Sequence, residues 1–544
     1  MGGGGVTYVD KDVQRVLDLP RVVYPPELAE RLSEAWRAPG GSWVLREDQA
    51  KFLYSLGRFR GAVGGLSVGM GKSLCAMLAP LALGVPSEDV LVILPASLIG
   101  EAESERPGYL EQFALPPAPR YLSYAMLARP DNVNILDEIA PKVIVVDEAH
   151  ALRNSKSART RRLTRYLRRN PDTVFVPMSG TLAGETLFDY AHLLRWAMGA
   201  GAAIPKPRRI LEAWSRVLDV GAEEPPTGYD YKLLEPLLAW AKTTDHRAAL
   251  YERLRTAPGM VLSTESSCDT PISIQRWKPS VPKPVSAALD RLEEAWVLPD
   301  GTEVLDQLRL AVAKKQVSLG YYMRWTWPVA GSIDREWLKV RSDYYREIRG
   351  VTNRGKEGYE TQGLVERALR AGRDPYLPVE LYEAAAAWEQ IEDRADPVPE
   401  AVWFDDSVVR AARDEAEASG EPTIIWYTYV CVGKALEALG VPTSYAGDPV
   451  PDARVVALSV RAHGTGLNLQ RFTSNLVLEA PGNAGTWEQM LGRTHRGGQA
   501  LPVACTVLAH TPALSGAVSK ARTRAKYVEE TTGIKQKLNL ATWS

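Results

Sequence analysis

Three groups of residues have types and spacings that could do chemistry together. The first is Gly64-Gly65-Leu66-Ser67-Val68-Gly69-Met70-Gly71-Lys72-Ser73-Leu74. Glycines between a strand and a helix let backbone N–H groups close around a phosphate, with the helix N-terminus behind it. In that arrangement Gly69, Met70 and Gly71 shape the loop, Lys72 reaches the β- and γ-phosphates, and the Ser73 hydroxyl holds Mg²⁺. The pattern G-x-x-x-x-G-K-[ST] is broken at its first position, where Leu66 stands in place of glycine. The second group closes the apolar run Lys142-Val143-Ile144-Val145-Val146 with Asp147-Glu148-Ala149-His150. Asp147 is placed to hold Mg²⁺ and Glu148 to polarise an attacking water. The third is Trp487-Glu488-Gln489-Met490-Leu491-Gly492-Arg493-Thr494-His495-Arg496. On a helix, Gln489, Arg493 and Arg496 lie at offsets of four and seven and share one face, with Gly492 beside it allowing close approach. Two guanidiniums aimed one way suit a γ-phosphate and its transfer, a role worth roughly 10³–10⁵ in rate.

These groups need scaffolds that bring them together. Val90-Leu91-Val92-Ile93-Leu94, the run ending at Asp147, and Val174-Phe175-Val176 are continuous apolar stretches, as buried parallel strands are. They alternate with helical patterns, which indicates a doubly wound α/β domain whose ligands gather at the carboxyl edge of the sheet. A helix over residues 49–56 begins at Gln49, whose amide could read an adenine edge. Thr423-Ile424-Ile425-Trp426-Tyr427, Val455-Val456-Ala457-Leu458-Ser459 and Asn475-Leu476-Val477-Leu478 predict a second α/β domain with no phosphate loop of its own. The expected layout is an N-terminal extension (1–40), an ATP-binding domain (41–200), a mainly helical linker or insertion partly packed on the second domain (201–420), and the second domain (421–544).

Composition limits the partners. The chain has 544 residues, 65 basic and 66 acidic, for a net charge of −1, so any nucleic-acid contact must come from local patches. One such patch is residues 153–169, with Arg153, Lys156, Arg159, Arg161, Arg162, Arg165, Arg168 and Arg169 and no acidic residue. Leu163 and Leu167 would pack one face of a helix there, and outward arginines could take phosphates. Residues 321–400 interleave Tyr321, Tyr322, Trp325, Trp327, Trp337, Tyr344, Tyr345 and Trp388 with arginines, which fits either a base-stacking surface or a small aromatic core. The four cysteines are widely spaced and suggest neither disulfides nor zinc. With no apolar run of membrane-helix length and no signal-like start, the expectation is a cytoplasmic protein without a membrane partner.

The order of motifs from Gln49 to Gln499 resembles superfamily-two helicases, most closely the Swi/Snf-like branch of DNA-dependent ATPases and translocases. Gln49 resembles the adenine-reading glutamine, residues 69–73 motif I, and Asp147-Glu148-Ala149-His150 motif II. Arg153-Asn154 resembles the basic-Asn extension of this branch, and Ser179-Gly180-Thr181 resembles motif III, which couples hydrolysis to domain movement. Residues 459–469 resemble motif V, and residues 489–499 resemble motif VI. The resemblance implies two tandem RecA-like lobes with ATP and Mg²⁺ in the cleft between them. It also implies nucleic acid across both, touched by Pro95, Ser97 and Tyr124 in the first and by Thr428 and Thr465 in the second. The implied activity is ATP-driven movement along DNA, with replication or recombination proteins as possible partners. An RNA helicase of the Asp-Glu-Ala-His type and an ATP-switched interaction module are the alternatives.

Overall fold

The computed structural model describes residues 9–544 except 221, 223, 266–267, 305–306, 328–333, 373, 396 and 465–466. Two fully parallel sheets organise the chain. The first has six strands, β1 (Val63–Gly65), β2 (Val90–Leu94), β3 (Arg120–Ser123), β4 (Val143–Asp147), β5 (Val174–Met178) and β6 (Met260–Leu262), in the order β3-β2-β4-β5-β1-β6. The strands β2, β4 and β5 are buried along their whole length, as strands covered by helices on both faces must be. Helices α1 (Glu47–Phe59), α2 (Lys72–Leu83), α3 (Ala96–Gln112) and α4 (Ala158–Arg169) belong to this unit. Its register lines up Asp147 with Met178 and Gly64 with Met178, so the ends of β1, β4 and β5 meet at one edge.

The second sheet has seven strands in the order β11-β12-β10-β13-β14-β7-β15. They are β7 (Ile272–Trp277), β10 (Thr423–Tyr427), β11 (Thr443–Ser444), β12 (Val455–Ser459), β13 (Ser474–Val477), β14 (Val503–Leu508) and β15 (Thr542–Trp543). The domain limits therefore move. Residues as far as Leu262 complete the first sheet, and Ile272–Trp277 lies inside the second, flanked by β14 and β15. Both strands fall in the stretch expected to be linker, because short strands among helical patterns leave little periodic signal.

What remains of 201–420 is helical insertion. A hairpin of β8 (Tyr321–Thr326) and β9 (Val398–Trp403) springs from the second unit, with Tyr321 buried in that unit's core. Between its strands lie α5 (Arg335–Arg354), α6 (Gln362–Arg370) and a helix over Val379–Glu389. These pack around Tyr344, Ile348, Val351, Val365, Leu377 and Leu381, with Trp388 against Trp337 at 5.1 Å between ring centroids. Arg341 lies over the rings of Trp325, Trp337 and Tyr345. The aromatic–basic interleaving thus builds a small core and a cation–π cluster, with Trp325 left exposed.

Helix α7 (Ala484–Thr494) lies at the edge of the second sheet, and the chain then crosses between units on α8 (Pro512–Thr532), a helix of 21 residues. Its first half buries Ala517, Val518 and Ala521 in the second core; its second half buries Tyr527 and Val528 in the first. The Tyr527 hydroxyl donates to Asp219 at 2.9 Å, and Arg247 pairs with Glu530 at 2.7 Å. The short helix α9 (Lys537–Leu540) and β15 then return the chain to the second sheet. None of the helices is long and apolar enough to cross a membrane, among the described residues.

Candidate nucleotide site between the two units

The glycine-rich stretch forms a loop between β1 and α2. Gly69 and Gly71 have φ of 85° and 70°, the left-handed region where a side chain is strained. A Cβ on Gly71 would also stand 2.3 Å from Gln49 Nε2. Gln49 is buried at the start of α1, donates its amide to the carbonyls of Met70 (3.0 Å) and Gly71 (3.4 Å), and accepts from the Arg46 N–H at 2.9 Å. Leu66, where the phosphate-loop pattern expects glycine, is fully buried in the core, and its carbonyl accepts from Lys72 Nζ at 3.4 Å. The departure from the pattern therefore serves packing on one side of the loop while the glycines keep the other side open.

Lys72 also pairs with Glu148 Oε1 at 3.4 Å. The second carboxylate oxygen of Glu148 lies 3.1 Å from His150 Nδ1 and 3.5 Å from the Ser179 hydroxyl. Glu148 has φ of 54°, an uncommon conformation for a side chain of its kind and one that recurs where function imposes strain. Burial works against its charge, but Lys72 first and His150 next outweigh it and hold the carboxyl well below its usual range. Asp147 shifts the other way: burial raises it, Lys72 opposes, and the neighbouring Glu148 adds to the rise. Its Oδ1 accepts the Glu148 N–H at 2.8 Å. Asp147 and the half-buried Ser73 supply hard oxygen donors of the type Mg²⁺ takes. Among the described residues no three metal-ligating side chains cluster, so a cation here would draw most of its ligands from phosphate and water.

Ser179-Gly180-Thr181 lies directly on the loop: a Cβ on Gly180 would be 3.1 Å from both Leu66 O and Val68 N. Thr181 in turn stands 3.5 Å from where a Cβ on Gly485 of α7 would be, so this segment touches both units.

The second unit contributes α7. Gly492 abuts the loop, where a Cβ would come within 3.0 Å of Val68 Cγ1. Gln489 Nε2 is 3.3 Å from His150 Nε2. With Nε2 accepting from that amide nitrogen, the proton of a neutral His150 falls on Nδ1, facing Glu148. Arg493 is buried, donates to the carbonyls of Gly464 (3.2 Å) and Leu467 (3.4 Å), and lies in the field of Glu148, Glu101 and Asp147. Arg496 does not share its helix face. The helix stops at Thr494, ahead of Gly497 and the left-handed Gly498, and Arg496 sits half-buried in the turn, where with Arg493 it faces Glu101.

Several expected nucleic-acid contacts are placed elsewhere. Tyr124 is buried beneath the site, its hydroxyl donating to the carbonyls of Asp147 (2.7 Å) and Glu148 (3.2 Å), so it braces the carboxylates and offers nothing to a polymer. Arg153 gives its guanidinium to the carbonyls of Thr181 and Ala183, tying the turn after His150 to the Ser-Gly-Thr segment. Pro95 and Thr428 end β2 and β10 half-buried, while Ser97 and Asn154 are exposed. Thr428 gives its N–H to Glu479 Oε2 at 3.2 Å, and Thr465 lies outside the described residues. The basic helix α4 does not present all its arginines outward: Arg162 is buried, donating to the carbonyls of Leu127, Arg129 and Asn132.

Three site residues escaped the sequence reading. His150 was visible within its motif but had no assigned role. Glu488 and Lys537 form a buried pair at 3.7 Å behind α7, with the Lys537 N–H on Glu488 Oε2 at 2.8 Å and Lys537 Nζ 3.3 Å from His495 Nδ1. No short-range pattern links residues 488 and 537; only the return of the chain through α9 brings them together. The chain matches no protein-family model, and none of the curated proteins matches it.

Proposed function

We propose that the chain is an ATP-dependent DNA translocase or helicase built on two RecA-like lobes, with ATP hydrolysed in the cleft between them. The observation that carries this reading is the meeting of two half-sites. Lys72, Asp147, Glu148 and His150 stand on the first unit, and Gln489 and Arg493 reach them from the second. Gly69, Met70 and Gly71 would hold the nucleotide and Lys72 its β- and γ-phosphates. Gln49, expected to read an adenine edge, instead spends its amide on the Met70 and Gly71 carbonyls and the Arg46 N–H and so braces the loop. Ser73 and Asp147 would hold Mg²⁺, which when bound neutralises phosphate charge. Glu148, kept ionised by Lys72 and oriented by His150, accepts the proton of the attacking water. Arg493 and Arg496 answer the charge that develops on the γ-phosphoryl group.

Coupling follows from where the arginines stand. Gln489 on His150, and Thr181 beside Gly485, make nucleotide state a matter of how the two units sit against each other. Opening and closing of that junction would alternate the grip of the two sheet edges on a phosphate backbone, at Pro95, Ser97 and Asn154 on one side and Thr428 and Thr465 on the other. Such binding is weakly sequence-dependent and falls steeply with salt. The test is ATP turnover with duplex DNA, single-stranded DNA and RNA, followed by strand displacement on whichever stimulates best. DNA stimulation supports the reading. Stimulation by RNA alone moves it to an RNA helicase, and ATP binding without polymer-stimulated turnover moves it to a switch.

A further inference from the structure

The arginines of the basic run do not act alike. Arg153, in the turn before α4, and Arg162, on α4, are spent on carbonyls of their own unit. Arg161, Arg165 and Arg169 are four residues apart, which sets them on one stripe about 6 Å apart along the helix axis. The same short segment of the insertion covers all three. Arg161 donates to the carbonyls of Thr352 and, at 3.2 Å, Asn353, the last turn of α5, where a helix end favours a cation. Arg165 pairs with Glu360 and, at 3.5 Å, with Glu357. Arg169 pairs with Glu357 at 2.6 Å and lies 3.7 Å from Asp137 of its own unit. The turn between α5 and α6 fits this stripe closely: Gly355, at φ 76°, lies where a Cβ would be 3.2 Å from the Arg161 guanidinium carbon. A fourth pair, Arg367 with Asp131 at 2.6 Å, secures the flank.

We propose that Arg161, Arg165 and Arg169 form a binding stripe for a polyanion, the phosphate backbone of a nucleic acid, and that the 352–360 turn covers it as a built-in competitor. Guanidiniums take carboxylate and phosphate with the same fork geometry, so Glu357 and Glu360 occupy positions that phosphates would. The cover can leave. It belongs to the insertion, which springs from the second unit through the β8–β9 hairpin, so a shift between the two units pulls on it. The outer pair, Arg169 with Glu357, is 52% and 41% exposed and holds weakly, while Arg165 with Glu360, 17% and 0% exposed, is the inner pair that a phosphate has to replace. That the polyanion is nucleic acid rests on the DNA-dependent reading above.

The test measures binding of a fluorescent duplex oligonucleotide by the full chain and by Glu357→Gln/Glu360→Gln. Uncovering the stripe predicts roughly tenfold tighter binding at low salt and a steeper salt dependence, since more phosphates are contacted. Adding Arg165→Gln and Arg169→Gln to that variant should cancel the gain. A second variant, Arg161→Cys/Asn353→Cys, is bridged by a bifunctional maleimide that spans an arginine-sized gap, which locks the cover; binding should weaken relative to the same variant capped with a monofunctional maleimide. Unchanged or weaker affinity in the uncovered variant, or binding indifferent to the lock, overturns the stripe. If DNA still stimulates ATP turnover in that case, the motor reading survives and only the stripe falls. If the unmodified chain and the uncovered variant both bind no nucleic acid, both readings fall.

Discussion

The two parallel sheets share a plan and differ in what their carboxyl edges carry. At the first, β1, β4 and β5 end in a glycine loop, two adjacent carboxylates and Ser179-Gly180-Thr181, all locked together through Lys72, His150 and the Leu66 carbonyl. At the second, β10 and β13 lead into Thr428 and Glu479, and the cationic group comes from α7 as Arg493. On the proposed reading the first edge would hold a triphosphate but lacks the charge that answers its cleavage. The second has that charge and no cradle. Neither half would then suffice: the chemistry would depend on the junction, and a change in the junction would be its output.

The sharpest way to break this comparison is to disable the first edge alone. Glu148→Gln keeps the shape and removes the base, so ATP turnover should fall by about 10³ or more while nucleotide binding persists. Wild-type turnover in this variant would contradict the role given to Glu148. The next probe is the support behind α7. Lys537→Met leaves Glu488 buried without its partner, and losing one member of a buried pair costs about 3 kcal/mol. Chemical denaturation should report that loss, and it should be largely recovered by adding Glu488→Gln.

Glu479 sharpens the second edge. Burial pushes its carboxyl up to about 7 from an ordinary 4.5, against the hydrogen bond from Thr428. Between those values the folded chain keeps a proton that the unfolded chain has released. Its contribution to stability is therefore complete below about 4.5, declines as pH rises, and is gone above about 7, an effect of about 3 kcal/mol. Glu479→Gln should flatten that part of the stability–pH curve and leave the variant more stable than wild type at pH 8. The smallest expected effect is at the junction itself. Gln489→Ala frees His150 Nε2 and should slow turnover by about tenfold with little change in stability.

Much of the first half-site was legible in the sequence because its parts are local. Strand, loop and helix are contiguous around Lys72, and Asp147-Glu148 ends a short, continuous apolar run of the kind a buried strand has. Arg493 was legible from helix periodicity, but Arg496 was not, since Gly497 and Gly498 end α7 before its face is reached. The basic run read as one outward face, whereas α4 turns Arg162 inward to satisfy three carbonyls. Tyr124 and Lys537 depend on contacts between distant segments, which spacing along the chain does not encode. The strands β6 and β7 were missed for the same reason: they are short, and only pairing with β1 and β14 makes them strands.

The central claim, that the second unit completes a site the first unit can only half-build, is tested most directly by Arg493→Ala. ATP affinity and single-turnover hydrolysis should be measured on the same preparation, with saturating DNA. Affinity should stay within a few-fold of wild type, and hydrolysis should be slower by about 10³. Hydrolysis at the wild-type rate would show that the first unit works alone and that Arg493 has no part in the chemistry.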